Sequence, residues 1–172
     1  MKKTINLFVD MDGTVANFYH DKQYLERMFE KGYFANLPAY AIAKEIDEFA
    51  KQDTCVQVII LSACVESEYC KQEKIAWLKK YMPNVKQVLL TEVGQNKVEQ
   101  AKQHIEKFEN YTNILLDDYT HNLKEWVAEK GCYGVKYLNG LNGKNKTWQG
   151  AKVKNFNGLL DIIHKIAIYG RP

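Results

Sequence analysis

The stretch Ile5-Asn6-Leu7-Phe8-Val9-Asp10-Met11-Asp12-Gly13-Thr14 decides the fold. It opens as a short apolar run, ends in acid at Asp10 and meets Gly13 directly afterwards. Such a run reads as a buried strand, Ile5 to Asp10, delivered into a turn. Asp10 and Asp12 then stand two residues apart at a strand end. One carboxylate can act as a nucleophile toward phosphorus and the other as a general acid and base.

Working outward, four more runs read as strands: Val56 to Leu61, Val85 to Leu90, Ile114 to Asp117 and Gly134 to Leu138. Helical patterns lie between them. Ile42, Ile46 and Phe49 share one face, as do Val98, Ala101, Ile105 and Phe108. Tyr69 to Tyr81 is a further helix, stopped by Pro83, and Leu159, Ile162, Ile163, Ile166 and Tyr169 make a closing one. Apolar strands alternating with helices predict an α/β fold, with a parallel sheet of about five strands covered on both faces. In such sheets ligands bind beyond the carboxyl ends of the strands. The residues there are Asp10, Ser62, Thr91 and the pair Asp117-Asp118.

Residues 17–37 break this rhythm. They hold one predicted helix, Lys22 to Lys31, among Phe18, Tyr19, Tyr24, Phe29, Tyr33 and Phe34, and read as a small insertion over the mouth of the site. Asn139 to Gly150 is a Gly/Asn-rich loop. The chain, residues 1–172, is expected to form a single domain with this minimal cap.

A carboxylate nucleophile needs the negative charge of its target neutralised, so a hard cation is expected. Magnesium suits an all-oxygen site. Asp117-Asp118 supplies the remaining carboxylates. Ser62 offers a hydroxyl to a phosphate oxygen, and the next residue, Ala63, offers a backbone N–H. Lys97, at a helix start, offers a fixed positive charge reinforced by the helix terminus. Taken singly, each piece is ordinary: a turn, a solvated loop, a surface lysine. Together they run in the order acid pair, hydroxyl, lysine, acid pair, and three of the four fall at strand ends.

Asp-x-Asp-Gly-Thr, then an apolar residue and Ser, then Lys, then Asp-Asp resembles the four-motif signature of the haloacid dehalogenase (HAD) superfamily of phosphohydrolases. Within it the chain is most similar to the 5'(3')-deoxyribonucleotidases, over residues 5 to about 125. The matching positions are Asp10-Met11-Asp12-Gly13 with Ala16-Asn17-Phe18, Gly32-Tyr33-Phe34 to Leu37-Pro38, Tyr69-Cys70 with Glu73-Lys74, Ala76-Trp77 and Lys80-Tyr81, and Leu115-Leu116-Asp117-Asp118. The resemblance implies a HAD-like three-layer sandwich and a magnesium-dependent phosphomonoesterase. It implies Asp10 as nucleophile and metal ligand, and Asp12 as acid/base with a metal-binding carbonyl. Ser62, Ala63, Lys97 and Gly13 would bind phosphate. Asp118 would hold the metal with Asp117 behind it, and Phe18 would pack on a nucleobase. The insertion after the first motif is much shorter than in the mammalian enzymes, so a sugar phosphate or another small ester stays open as the substrate; a phosphate-binding protein without turnover is a separate alternative, against which the second carboxylate, Asp12, argues.

The composition, 46% hydrophobic and 26% charged, fits a soluble globular chain. The net charge of +3 suits a small anionic substrate, and no basic stripe points to nucleic acid. Cys55, Cys64, Cys70 and Cys132 have no zinc spacing and read as reduced thiols in a cytoplasmic protein. Met1-Lys2-Lys3 before an apolar run faintly imitates a signal peptide, but the run is short and acid follows. No stretch reaches membrane-spanning length. His121 follows the Asp-Asp pair closely, and Trp148 in its polar loop suits a lid as well as a packing role. An open site also leaves room for a homodimer partner as its cover.

Overall fold

In the computed structural model, which describes residues 4–52 and 54–171, six strands line up in one parallel sheet. They are β1 Ile5–Val9, β2 Val56–Cys64, β3 Gln87–Glu92, β4 Thr112–Asp117, β5 Cys132–Tyr137 and β6 Ala151–Val153, in the order β3-β2-β1-β4-β5-β6. Met1-Lys2-Lys3, the signal-like start, lies outside the described residues.

The helices are α1 Tyr24–Arg27, α2 Ala41–Ala50, α3 Cys70–Tyr81, α4 Lys97–His104, α5 Thr120–Val127 and α6 Phe156–Tyr169. Two apolar clusters show how they cover the sheet. Ile5, Leu7 and Val9 of β1 pack with Ile46 of α2, Trp77 of α3 and Ile163 of α6. Phe8, on the opposite face, packs with Val98 and Ala101 of α4 and Trp126 of α5. Alternation along a strand both faces of which are buried produces this three-layer α/β sandwich.

The topology places the site. The chain runs outward from β1 to β2 and β3, then returns to β4 on the other side of β1. The carboxyl end of β1 is therefore the switch point, where a crevice opens in sheets of this kind. Val9 is level with Ile60 of β2 and Leu116 of β4, so Asp10, Ser62 and Asp117 emerge together.

The structure departs from the sequence reading in three places. A sixth strand, Ala151–Val153, pairs with β5; at three residues it is too short to show a period. The predicted Lys22–Lys31 helix is one turn, Tyr24–Arg27, because Arg27 folds back on Asp21 and the aromatic rings cluster without a helical stripe. The Val98 to Phe108 helix stops at His104. Ile105 is extended and Lys107 is left-handed (φ 55°), which brings Phe108 into the core from a 3-10 turn. Of the two roles left open for Trp148, the structure shows packing. It is buried, its indole N–H donates to the Ala151 carbonyl at 2.9 Å, and its ring lies against Gly134, where a Cβ would meet it at 3.0 Å. Among the described residues, no helix is long and apolar enough to cross a membrane.

Candidate active site

Beyond β1 the chain turns tightly. The Met11 carbonyl accepts the amides of Thr14, Val15 and Ala16, while the Met11 side chain is fully buried. Successive residues on extended backbone point to opposite sides, so burying Met11 sends Asp10 and Asp12 the other way. Gly13 has φ +78°, a conformation that costs glycine little. A Cβ there would lie 2.4 Å from Asp118 Oδ2, so only glycine lets Asp118 approach. Gly13 was expected to bind phosphate. Its amide donates to the Ala16 carbonyl at 2.8 Å.

Lys97 joins the first and last motifs. Its Nζ lies 2.6 Å from Asp10 Oδ1 and 2.7 Å from Asp117 Oδ2. The Asn96 side chain accepts the amides of Val98 and Glu99, which fixes the start of α4 and holds Lys97 inward. Asp117 is fully buried and also accepts from the Tyr119 amide (2.7 Å) and the Asn122 side chain (2.9 Å). Asp118 Oδ2 accepts from the Tyr19 hydroxyl at 3.3 Å and the Asn139 side chain at 2.9 Å. Asn139 also donates to the Gly13 carbonyl at 2.9 Å, so the Gly/Asn-rich loop ties the two acid motifs together.

Sequence reasoning missed Lys74 as a site residue. This lysine of α3 is fully buried. Its Nζ donates to Asp12 Oδ2 (2.6 Å), Ser62 Oγ (3.1 Å) and the Ala63 carbonyl (2.5 Å). A signal was present. Cys70, Lys74, Trp77 and Leu78 are the buried residues of α3 and share a stripe at i, i+4, i+7 and i+8, so a cation stands where an apolar residue belongs. The residue before Lys74, Glu73, accepts the amides of Gly32 (2.5 Å) and Phe34 (3.1 Å) and anchors the cap.

Burial dominates the electrostatics. It raises the Asp10 carboxyl above its usual range, with Lys97 opposing. It raises Asp12 likewise, with Lys74 opposing. Burial and then the Asp117 and Asp10 charges push Asp118 well up. Burial works against the charge of Lys97, but Asp10 and Asp117 outweigh it and hold the amine protonated. One carboxylate oxygen each from Asp10, Asp117 and Asp118 lie within 4.8 Å of one another. Asp12 Oδ1 is buried and has no hydrogen-bond partner among the described residues.

Thr91, the penultimate residue of β3, has a buried hydroxyl with no hydrogen-bond partner among the described residues. His121 is not part of the site; it is exposed and pairs with Glu125 at 3.2 Å. Phe18 sits in the cap among Tyr19, Tyr24, Tyr33 and Phe34, with ring centroids 5.1–6.2 Å away.

The sequence matches no family model, and no curated protein matches it. Solved structures do match. One is YfnB of Bacillus subtilis, described as a candidate HAD-hydrolase and determined with bound magnesium. The similarity has a TM-score of 0.60 at 10% identity and covers 94% of this chain and 99% of that one. A likeness at that identity is one of architecture, and in architecture this chain is a HAD-like α/β protein.

Proposed function

We propose that this chain is a magnesium-dependent phosphomonoesterase that forms an aspartyl-phosphate on Asp10, with (deoxy)nucleoside monophosphates as substrates. The observation that carries the reading is the pair of buried lysine bridges at the switch point, Lys97 between Asp10 and Asp117 and Lys74 between Asp12 and Ser62. They commit two cations and four acid or hydroxyl groups to one small volume, a costly arrangement without a function for it. The HAD-like fold and the order of the motifs agree with it.

Asp10 Oδ attacks phosphorus while Lys97 holds the carboxylate charged and in place. Asp12, whose carboxyl burial raises, gives its proton to the leaving oxygen. It then takes a proton from the water that cleaves the acyl phosphate. Lys74 fixes the orientation of Asp12 and of the Ser62 hydroxyl that receives a phosphate oxygen. The Ala63 amide is the second phosphate donor of the reading. The presence of an acid/base at Asp12 counts against a protein that binds phosphate without turnover.

The donor set fits magnesium. It is all oxygen, and no lysine or arginine among the described residues pairs with Asp118. Asp10, Asp118 and the Asp12 carbonyl would hold the ion, which would offset the charge shared by the carboxylates and the phosphate. Magnesium at a hundredfold excess over its Kd is expected to stabilise the protein by ~2.7 kcal/mol. That corresponds to a rise in Tm of about 5–10 °C for a chain of this size. The raised carboxyls of Asp10, Asp12 and Asp118 set the pH dependence. Their contribution to stability is full below the ordinary carboxylate range and is lost as pH rises through their raised folded values. In chelator, Asp118→Asn should therefore flatten the fall in Tm between mildly acid and neutral pH. An unchanged slope, or no shift with magnesium, counts against the site.

One observation favours the sugar-phosphate alternative. The Phe18 ring is already stacked on Phe34, with an interplanar angle of 18°, and edge-packed by three tyrosines. If Phe18 also stacks on a base, Phe18→Ala should cost ~1–3 kcal/mol of nucleotide selectivity. Comparing deoxyuridine, thymidine and guanosine monophosphates with a sugar phosphate decides it. If the sugar phosphate is turned over best and Phe18→Ala leaves the ratios unchanged, only the general phosphatase remains.

A further inference from the structure

Three lysines are buried among the described residues: Lys74, Lys97 and Lys136. The first two are bonded to carboxylates of the candidate site. Lys136, only 5% exposed, pairs with no carboxylate among the described residues. Its Nζ donates to the Thr120 hydroxyl at 2.6 Å. An ammonium group has three N–H donors, so the other two are left without an acceptor among those residues. A charge withdrawn from water without a counter-charge is costly. Lys136 stands near the carboxyl end of β5, level with Asp117 on the neighbouring strand.

The same lysine lines a cavity of about 320 Å³ with Tyr19, Asp118, Thr120, Lys144 and Thr147. Asp118 belongs to the candidate metal site, so the cavity adjoins it. Two sides of the cavity are fixed by hydrogen bonds. Tyr19 of the cap donates to Asp118 at 3.3 Å. Asn142 of the Gly/Asn-rich loop donates to the carbonyls of Asp118 (3.1 Å) and Tyr137 (2.8 Å), which pins the segment that carries Lys144. The Thr120 and Thr147 hydroxyls lie 3.4 Å apart. Asp118 is the one acid of the lining, and the rest supplies two ammonium groups with hydroxyls and amides. That is a lining for an anion. Its volume is at the small end of the roughly 300–1,000 Å³ range of ligand pockets, which suits a compact polar group.

We infer that Lys136 and Lys144 bind a second phosphate carried by the leaving group, so that small esters with two phosphates are preferred to simple monophosphates. The inference rests on the proposed phosphatase reading and narrows its substrate class. Among nucleotides it selects nucleoside bisphosphates, and among sugar phosphates it selects sugar bisphosphates; the chemistry recognised is the same. Only the phosphate at Asp10 is transferred. The bond from the Asp10 oxygen to phosphorus forms as the bond from phosphorus to the leaving oxygen breaks. Asp12 protonates that oxygen, and water then releases inorganic phosphate from Asp10. The second phosphate departs on the alcohol product, which is a monophosphate. A substrate without it leaves Lys136 unpaired and forgoes that binding energy.

The test is to measure kcat/KM of the full chain, with magnesium, on two substrate pairs: adenosine 3',5'-bisphosphate against adenosine 5'-monophosphate, and fructose 1,6-bisphosphate against fructose 6-phosphate. In at least one pair the bisphosphate should be favoured about 10–100-fold, the usual worth of a hydrogen bond to a charged group. The pair that shows it identifies the nucleotide or the sugar source. Lys136→Met should bring that ratio close to one by raising KM for the bisphosphate rather than by lowering kcat. Lys144→Ala should lower the ratio less, because Lys144 is exposed, and it carries this arm if Lys136→Met does not fold. Monophosphates turned over as well as both bisphosphates overturn the inference and leave the phosphatase reading standing. A bisphosphate preference that neither variant reduces also overturns it, since the second phosphate then binds elsewhere. Hydrolysis of none of the four esters refutes the proposed function. In that event a bisphosphate that raises the Tm of wild type but not of Lys144→Ala keeps the cavity as its site, and the absence of any rise overturns the inference as well.

Discussion

Asp10→Asn is expected to lower phosphate-ester turnover by at least ~10³-fold, since a nucleophile acts as a unit with its partners. Asparagine keeps the size of aspartate but has no charged oxygen to attack phosphorus. A loss through unfolding can be told apart, because the sign of the stability change is opposite. Asp10 stands among the buried carboxyls of Asp117 and Asp118, and burial raises its own. Removing one negative charge relieves that cluster and leaves Lys97 bonded to Asp117. In chelator, Asp10→Asn should therefore melt no lower than wild type while its turnover collapses. Steady-state assays with p-nitrophenyl phosphate and magnesium, paired with melting curves, check both. Activity within about tenfold of wild type would mean that no covalent intermediate forms on Asp10.

Lys97→Met should have the largest effect on stability. Lys97 is nearly fully buried between Asp10 and Asp117. Removing one partner of a buried ion pair leaves an uncompensated charge, at a cost of about 3–5 kcal/mol. Against a total of roughly 5–15 kcal/mol this is severe. The Tm should drop by about 6–20 °C for a chain of this length. Methionine fills most of the volume, so the loss reports charge rather than a cavity. Two partial rescues distinguish charge from packing. Lower pH should restore part of the Tm by protonating the freed carboxyls, and the double variant Lys97→Met/Asp117→Asn should recover more than its single-variant costs predict. A Lys97→Met protein that melts within a degree or two of wild type and does not respond to pH would show that the cluster is not held by this cation.

The strands and most helices were legible because each carries its own period. β1, β2 and β4 are apolar runs, and α2 and α6 show apolar stripes that need no partner to be read. The switch-point rule then placed Asp10, Ser62 and Asp117-Asp118 at one end of the sheet, and the register brings them there. Asp10, Lys97 and Asp117 meet, as do Asp12 and Ser62 through Lys74. The cap was legible as an insertion but not as a shape, since its aromatic residues have no period. An ion pair and ring contacts between residues far from helical spacing determine its path.

By itself the sequence determined that this chain folds as a parallel α/β sandwich and that two pairs of carboxylates stand at strand ends, because periodicity and strand termini are local properties. Only the tertiary structure decided which groups touch. Lys74 reaches Asp12 across 62 positions of chain, and Asn139 reaches Gly13 across 126. Trp148 leaves a polar loop to pack on Gly134. Each of these contacts is set by the sheet order and by what neighbouring elements bury, and neither quantity is written into any one segment.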